Sequence, residues 1–396
     1  MIRKLRILYF MDGYGDGGGI QEMVIRWISH IDRNLFDVDV LAYNHTSMNP
    51  GRYRERLSEL GCGLYLVDSP EKSLEAGQQV ECYNDVRHHG VLPSLDQTMR
   101  FFRQHSYAVL HCNASAKGIL VLFCAMSCGV RVRLLHSHSA RIVTKNPFKR
   151  VAAFLLRQPA KAFATHYAAC SSEAGEFLFG NRAMNSGSVL IVPNAIELTR
   201  FAYDFGVRQE VRREIGVGEK TRVYADVARF QSPKNQSLLI RAFAEVLVRD
   251  SDSVLVLVGE GDERRDCERL VSELGISSKV RFLGLRYDVN RLVQGFDAFV
   301  MTSLFEGLPV VSVEAQASGL PCLLSSGITR EACILPESRT IALDSPVGNW
   351  ADAMLSLEAV EDRASSLGVV SAAGFEIAAA TKRLEQFYLS ALGLGE

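Results

Sequence analysis

Two successive α/β domains, each built on a parallel sheet, are what the sequence predicts. Short apolar runs alternate with helical patterns from the start. That rhythm breaks in a polar stretch around Tyr203 to Lys220 and then restarts. A chain of 396 residues with 47% hydrophobic content is also too long for one ordinary domain.

In the first half, Leu5 to Met11, Val38 to Tyr43, Leu64 to Val67, Ala108 to Cys112, Val132 to His136 and His166 to Cys170 read as strands. In the second, Arg222 to Val227, Val254 to Val258, Val280 to Leu283, Ala298 to Met301 and Pro321 to Leu324 do so. The domains therefore span 1–200 and 201–376, and a terminal segment, 377–396, has helical periodicity over Ile377 to Leu392. There is no tandem short repeat and no low-complexity tract.

Nine cysteines lack any Cys-x-x-Cys or Cys/His spacing suited to zinc, and Cys124 and Cys128 on an apolar helical run read as buried thiols of a reducing cytosol. The longest apolar run, Gly118 to Met126, is far below spanning length, so a cytoplasmic protein is expected. The formal charge of −1 hides an asymmetry, since residues 1–200 hold 23 Lys/Arg against 17 Asp/Glu and the remainder 21 against 28. Residues 97–172 contain eleven Lys/Arg and no acid. Such a face attracts anionic lipid or a lipid diphosphate, and with no nucleic-acid-binding motif present, membrane is preferred over nucleic acid. The alternative is a solvated basic face without a partner.

The most informative stretch runs from Phe305 to Pro321, FEGLPVVSVEAQASGLP. Pro309 suits the first position of a helix, where its missing N–H costs nothing. Glu306 then sits in the preceding loop and Glu314 more than a turn into the helix. Free amides near Gly307, Leu308, Pro309 and Val310 frame a place for a diphosphate, although proline itself has none to give. Alone, two carboxylates eight apart would be a solvated loop residue and a surface helix residue. Gly13-Tyr14-Gly15-Asp16-Gly17-Gly18 formally satisfies the dinucleotide fingerprint, yet the second strand ends Leu41-Ala42-Tyr43-Asn44 without the acid that motif needs. Asp37-Val38-Asp39 mimics a metal-binding Asp-x-Asp but lies inside a strand, so no metal site is expected there.

The Glu-Gly-Leu-Pro and Glu-Ala-x-x-x-Gly-x-Pro phrases resemble the signature of family 4 retaining glycosyltransferases, whose GT-B fold has two facing Rossmann-like domains with an inter-domain cleft. The resemblance covers nearly the whole chain, loosest over 45–95 and after 325, and Lys145 to Arg150, Ala164 to Gly175 and Val192 to Ile196 look like the branch that builds bacterial capsular and exopolysaccharides. It implies that Arg229 and Lys234, in Ala228-Arg229-Phe230-Gln231-Ser232-Pro233-Lys234-Asn235, neutralise the pyrophosphate leaving group in place of a metal. Ala228 stands where the family has glycine. It further implies that Glu306 orients the sugar and Glu314 the ribose, that Gly259 and Gly261 form a loop near the nucleotide, and that backbone beside Leu285 and Arg286 holds the base. In the first domain it assigns Gly18 and Gly19 to a loop near the cleft, with Gln21 or Glu22 in the family's glutamate position. His138, with His136 as reserve, faces the reacting sugar. The last helix crosses back onto the first domain.

Lys145, Lys149, Arg150, Arg157 and Lys161 stud a helix over 147–163 that also carries Phe148, Val151, Phe154 and Leu155, either an interfacial helix or one packed on its own domain. The expectation is thus a transferase moving sugar from a nucleoside diphosphate, UDP before others, to a saccharide hydroxyl, lipid-linked by preference, with no cofactor. It would be peripheral at the inner face of the cytoplasmic membrane. A nucleotide-sugar 2-epimerase of the same fold, a nicotinamide oxidoreductase and a non-catalytic sugar-nucleotide binder are the alternatives.

Overall fold

A computed structural model of the chain describes residues 4–13, 19–43, 51–67, 80–83, 91–114, 118–139 and 159–395. They form two compact units, Met1–Pro193 together with Ile377–Glu396, and Asn194–Glu376.

The first unit holds β1 (Leu5–Met11), β2 (Phe36–Tyr43), β3 (Leu64–Val67), β4 (Val80–Tyr83), β5 (Val109–Cys112), β6 (Val132–Ser137), β7 (His166–Ala169) and β8 (Val189–Ile191). Their order is β4-β3-β2-β1-β5-β6-β7-β8, and neighbours run parallel throughout. β1 is buried on both faces from Ile7 to Met11, as a central parallel strand requires. The strand order reverses between β1 and β5, so the chain leaves Gly13 and Asn113 at a topological switch point, where open α/β sheets bind ligands. The Ile377–Ala391 helix seats on this unit. Its Tyr388 hydroxyl lies 3.2 Å from that of Tyr9, and Glu385 accepts from the Asp32 amide at 2.6 Å.

The second unit holds β9 (Arg222–Val227), β10 (Ser253–Val258), β11 (Val280–Phe282), β12 (Ala298–Met301), β13 (Cys322–Ser325) and β14 (Arg339–Ile341), ordered β11-β10-β9-β12-β13-β14 and parallel throughout. Its reversal falls between β9 and β12. On one face the Gln236–Arg249 and Val347–Leu355 helices bury Leu239, Phe243, Val246, Trp350 and Met354 against the strands. Arg212, 3% exposed, ties the back of β12 with bonds to Asp297 (3.0 Å) and the Gly295 carbonyl (3.1 Å).

All eleven expected strands are present, with ends moved by up to two residues. Three strands were not expected: β4, β8 and β14. Each is an outermost strand of its sheet and only three or four residues long.

Candidate active site

In the second unit the loops that follow β9, β10, β11, β12 and β13 are stitched edge to edge. Ala228 N–H donates to Val258 O (3.0 Å), Phe230 N–H to Glu260 O (3.0 Å) and Gly259 N–H to Gly284 O (2.8 Å). Leu304 N–H reaches Pro233 O across the switch point (2.8 Å), and between the loops after β12 and β13 Glu306 N–H reaches Gly327 O (2.9 Å). Gly259 and Gly261 permit this closeness, because they have φ of 138° and 157° and a Cβ would lie 2.0 Å from Ala228 O and 2.3 Å from Phe230 O respectively. Irregular backbone here is a packed platform.

Lys234 and Glu306, 72 residues apart, form an ion pair on that platform. Both side chains are partly buried, at 26% and 19% exposure, so their charges are felt more strongly than on open surface. Asn235, the only non-glycine at positive φ among the described residues (53°), turns the chain from Lys234 into the Gln236–Arg249 helix. The Thr302 hydroxyl holds that turn by donating to Asn235 O at 2.8 Å. Gln236 donates to Arg229 O at 3.1 Å, fixing the backbone from which Arg229 projects. Beneath lies Asp226, on β9 and 4% exposed. Burial pushes its carboxyl up to about 7, against the opposing influence of Lys234 and a hydrogen bond from Gln236.

Pro309 is the N-cap of the Val310–Ala317 helix, which begins one residue later than expected. Its carbonyl takes the first-turn bonds from Ser312, through N–H (3.2 Å) and hydroxyl (2.8 Å). Among the described residues no side chain caps this helix, which leaves the positive end of its dipole open in the way an anion site needs. Leu308 is buried and its carbonyl accepts from Asn194 at 2.9 Å, which anchors the loop to the start of the unit. Glu314 is buried in the helix at 9% exposure. It is not a surface residue, which removes the ordinary-surface alternative.

Leu285 is exposed beyond β11. The Arg286 guanidinium is spent on Asp288, in a bidentate pair at 2.8 and 2.7 Å, and on Glu214 at 2.8 Å.

In the first unit, Gly19 opens the helix after β1, while Gly18 lies outside the described residues. Gln21 donates back to Gly13 O at 3.1 Å, whereas Glu22 is paired with Arg56 at 2.7 Å. Of the two, Gln21 is the one bonded to Gly13. At the end of β6, His136 is fully buried and bonded to His111 Nδ1-to-Nε2 at 2.9 Å. His138 is half-buried beyond the strand, and its Nε2 donates to Asn113 Oδ1 at 2.8 Å, joining the ends of β6 and β5. His111 was not anticipated, because an isolated histidine inside a strand carries no sequence signal. Asp39 is occupied by Arg6 (2.8 Å), Tyr107 (2.8 Å) and the Gly63 amide (3.0 Å), which leaves Asp37-Val38-Asp39 a structural brace. Lys145, Lys149, Arg150 and Arg157 lie outside the described residues, and Lys161 falls in a helical stretch over 159–163. Among the described residues no helix is long and apolar enough to cross a membrane.

Residues 207–367 match the family described as glycosyl transferases group 1. The putative glycosyltransferase EpsF of Bacillus subtilis is 31% identical over 349 residues, covering 88% of this chain and 86% of that protein. The Escherichia coli UDP-Gal:alpha-D-GlcNAc-diphosphoundecaprenol alpha-1,3-galactosyltransferase is 26% identical over 241 residues, 59% of this chain and 62% of its own length. Among solved structures, Anabaena HepE in complex with UDP-glucose superposes with a TM-score of 0.76 at 17% identity, covering 98% of this chain and all of that one. The fold is GT-B.

Proposed function

The chain belongs to the group 1 glycosyl transferases, and from that premise we propose a retaining, metal-independent transfer of sugar from a UDP-sugar to a hydroxyl of a lipid-linked saccharide in exopolysaccharide or capsule assembly. The observation that carries this reading is the Lys234–Glu306 ion pair beside the uncapped start of the Val310–Ala317 helix. Cation, carboxylate and free amides are the three groups that a sugar diphosphate needs. On donor binding, Lys234 exchanges Glu306 for a phosphate oxygen, and the released carboxylate accepts from sugar hydroxyls. Arg229, Lys234 and the helix amides then stabilise the charge that grows on the departing diphosphate, while Glu314 takes the ribose. Positive charge preorganised in this way supplies what a metal would otherwise provide. His138 keeps the sugar-side role that the family resemblance gives it, and the departing phosphate takes the acceptor's proton on the face it leaves.

The donor reading draws on the UDP-glucose complex of HepE and on the UDP-Gal named for the Escherichia coli relative, whose diphosphoundecaprenol acceptor also favours a lipid-linked substrate here. Thermal shift against UDP-, GDP- and ADP-sugars tests the donor site. A UDP-sugar should stabilise the parent and fail to stabilise Lys234→Ala or Arg229→Ala, with Glu306→Ala lowering transfer by roughly a hundredfold or more. Equal shifts in parent and variants would move the site elsewhere.

A further inference from the structure

Behind His138 the first unit buries a line of four polar side chains drawn from four elements. Tyr9 of β1 touches Tyr388 of the last helix (O to O, 3.2 Å), Tyr388 touches His111 of β5 (O to Nδ1, 2.6 Å), and His111 touches His136 of β6 (Nε2 to Nδ1, 2.9 Å). All four are at most 1% exposed. The line ends at His136 Nε2, which is buried with no hydrogen-bond partner among the described residues. Trp27 lies nearly parallel to both imidazoles, with centroids at 5.2 and 5.5 Å, and the His138 ring sits 4.0 Å from that of His136.

Burial holds His111 and His136 well below the usual histidine range, so both are neutral. A neutral imidazole has one donor and one acceptor nitrogen, which leaves the line two arrangements. Either Tyr388 donates to His111, and His111 Nε2–H donates to His136 Nδ1, or every bond is reversed. The tautomers of His111 and His136 are therefore coupled to each other and to the direction in which the Tyr388 hydroxyl points. His138 is held separately, by Asn113, whose amide also donates to His111 O at 3.4 Å.

We infer that Tyr388 is a positioning residue for the transfer reaction, locking through its hydroxyl the tautomers of His111 and His136, against which the sugar-facing His138 is packed. This rests on the proposed role of His138.

Two measurements on the full chain test it. Long-range 1H–15N spectra of histidine-labelled protein report tautomers directly. The parent should show His111 and His136 neutral, each in one tautomer, at neutral pH, and Tyr388→Phe should alter both. In steady-state kinetics with a UDP-sugar donor, Tyr388→Phe should lower kcat about tenfold, the worth of one neutral hydrogen bond felt in the transition state, with donor KM unchanged. Tyr107→Phe, which removes another buried hydroxyl from the same unit, should leave kcat at the parental value. Imidazolium signals for His111 or His136 in the parent would overturn the inference whether or not any variant folds. So would unchanged tautomers with kcat within twofold of the parent, or equal losses in Tyr388→Phe and Tyr107→Phe. Full activity in His138→Ala would instead sink the underlying assignment of His138.

Discussion

At the scale of single residues, Asp226 shows the fold imposing a charge state. Its carboxyl is raised from the ordinary 3.8 to about 7 by burial under the Lys234–Glu306 pair. An acid with a higher pKa when folded binds its proton more tightly in that state. Its contribution to stability is full below about pH 4, declines as pH rises to about 7, and changes no further above that. Asp226→Asn, which mimics the protonated form, should gain on the parent in urea unfolding by up to about 1.4 kcal/mol per pH unit between pH 5 and pH 7. A stability difference that is the same at pH 5 and pH 8 would mean that the carboxyl ionises as in water. Neither Asp226 nor His111 was legible in the sequence, since each is a lone polar residue within an apolar strand and gains its meaning from partners far along the chain. Glu306, Lys234 and Pro309 were legible because local spacing set them at a loop and a helix start, and the family resemblance singled out the two charged ones.

Among the elements, central strands were readable, and of the four outermost strands only β11 was. β12 is apolar throughout and β1 is so from Ile7 to Met11, as burial on both faces requires, whereas β14 reads Arg339-Thr340-Ile341, too short and too polar to register as a period. The loops between strands matter as much as the strands. Gly259→Ala would force a Cβ into Ala228 O and strain a positive φ, so it should cost about 2 kcal/mol or more in urea unfolding and weaken UDP binding together. Loss of stability with UDP affinity intact would show that the β10 loop does not shape the donor site.

For the molecule as a whole, the balance of basic and acidic residues differs between the two halves, and the acid-free 97–172 segment supports the proposed peripheral contact with membrane. Co-sedimentation with vesicles containing phosphatidylglycerol should exceed that with phosphatidylcholine alone, and should fall as salt is raised from 0.05 to 0.5 M, where screening shortens the reach of each charge. Equal pelleting with both vesicle types would assign the basic face to solvent. A separate consequence comes from the return of the Ile377–Ala391 helix to the unit that begins at the other end of the chain. Tyr9 leaves the ribosome 379 residues ahead of its partner Tyr388. Residues 194–376 form a contiguous piece that can settle during synthesis, while the first unit must wait, its histidines uncovered, until the Ile377–Ala391 helix has been made.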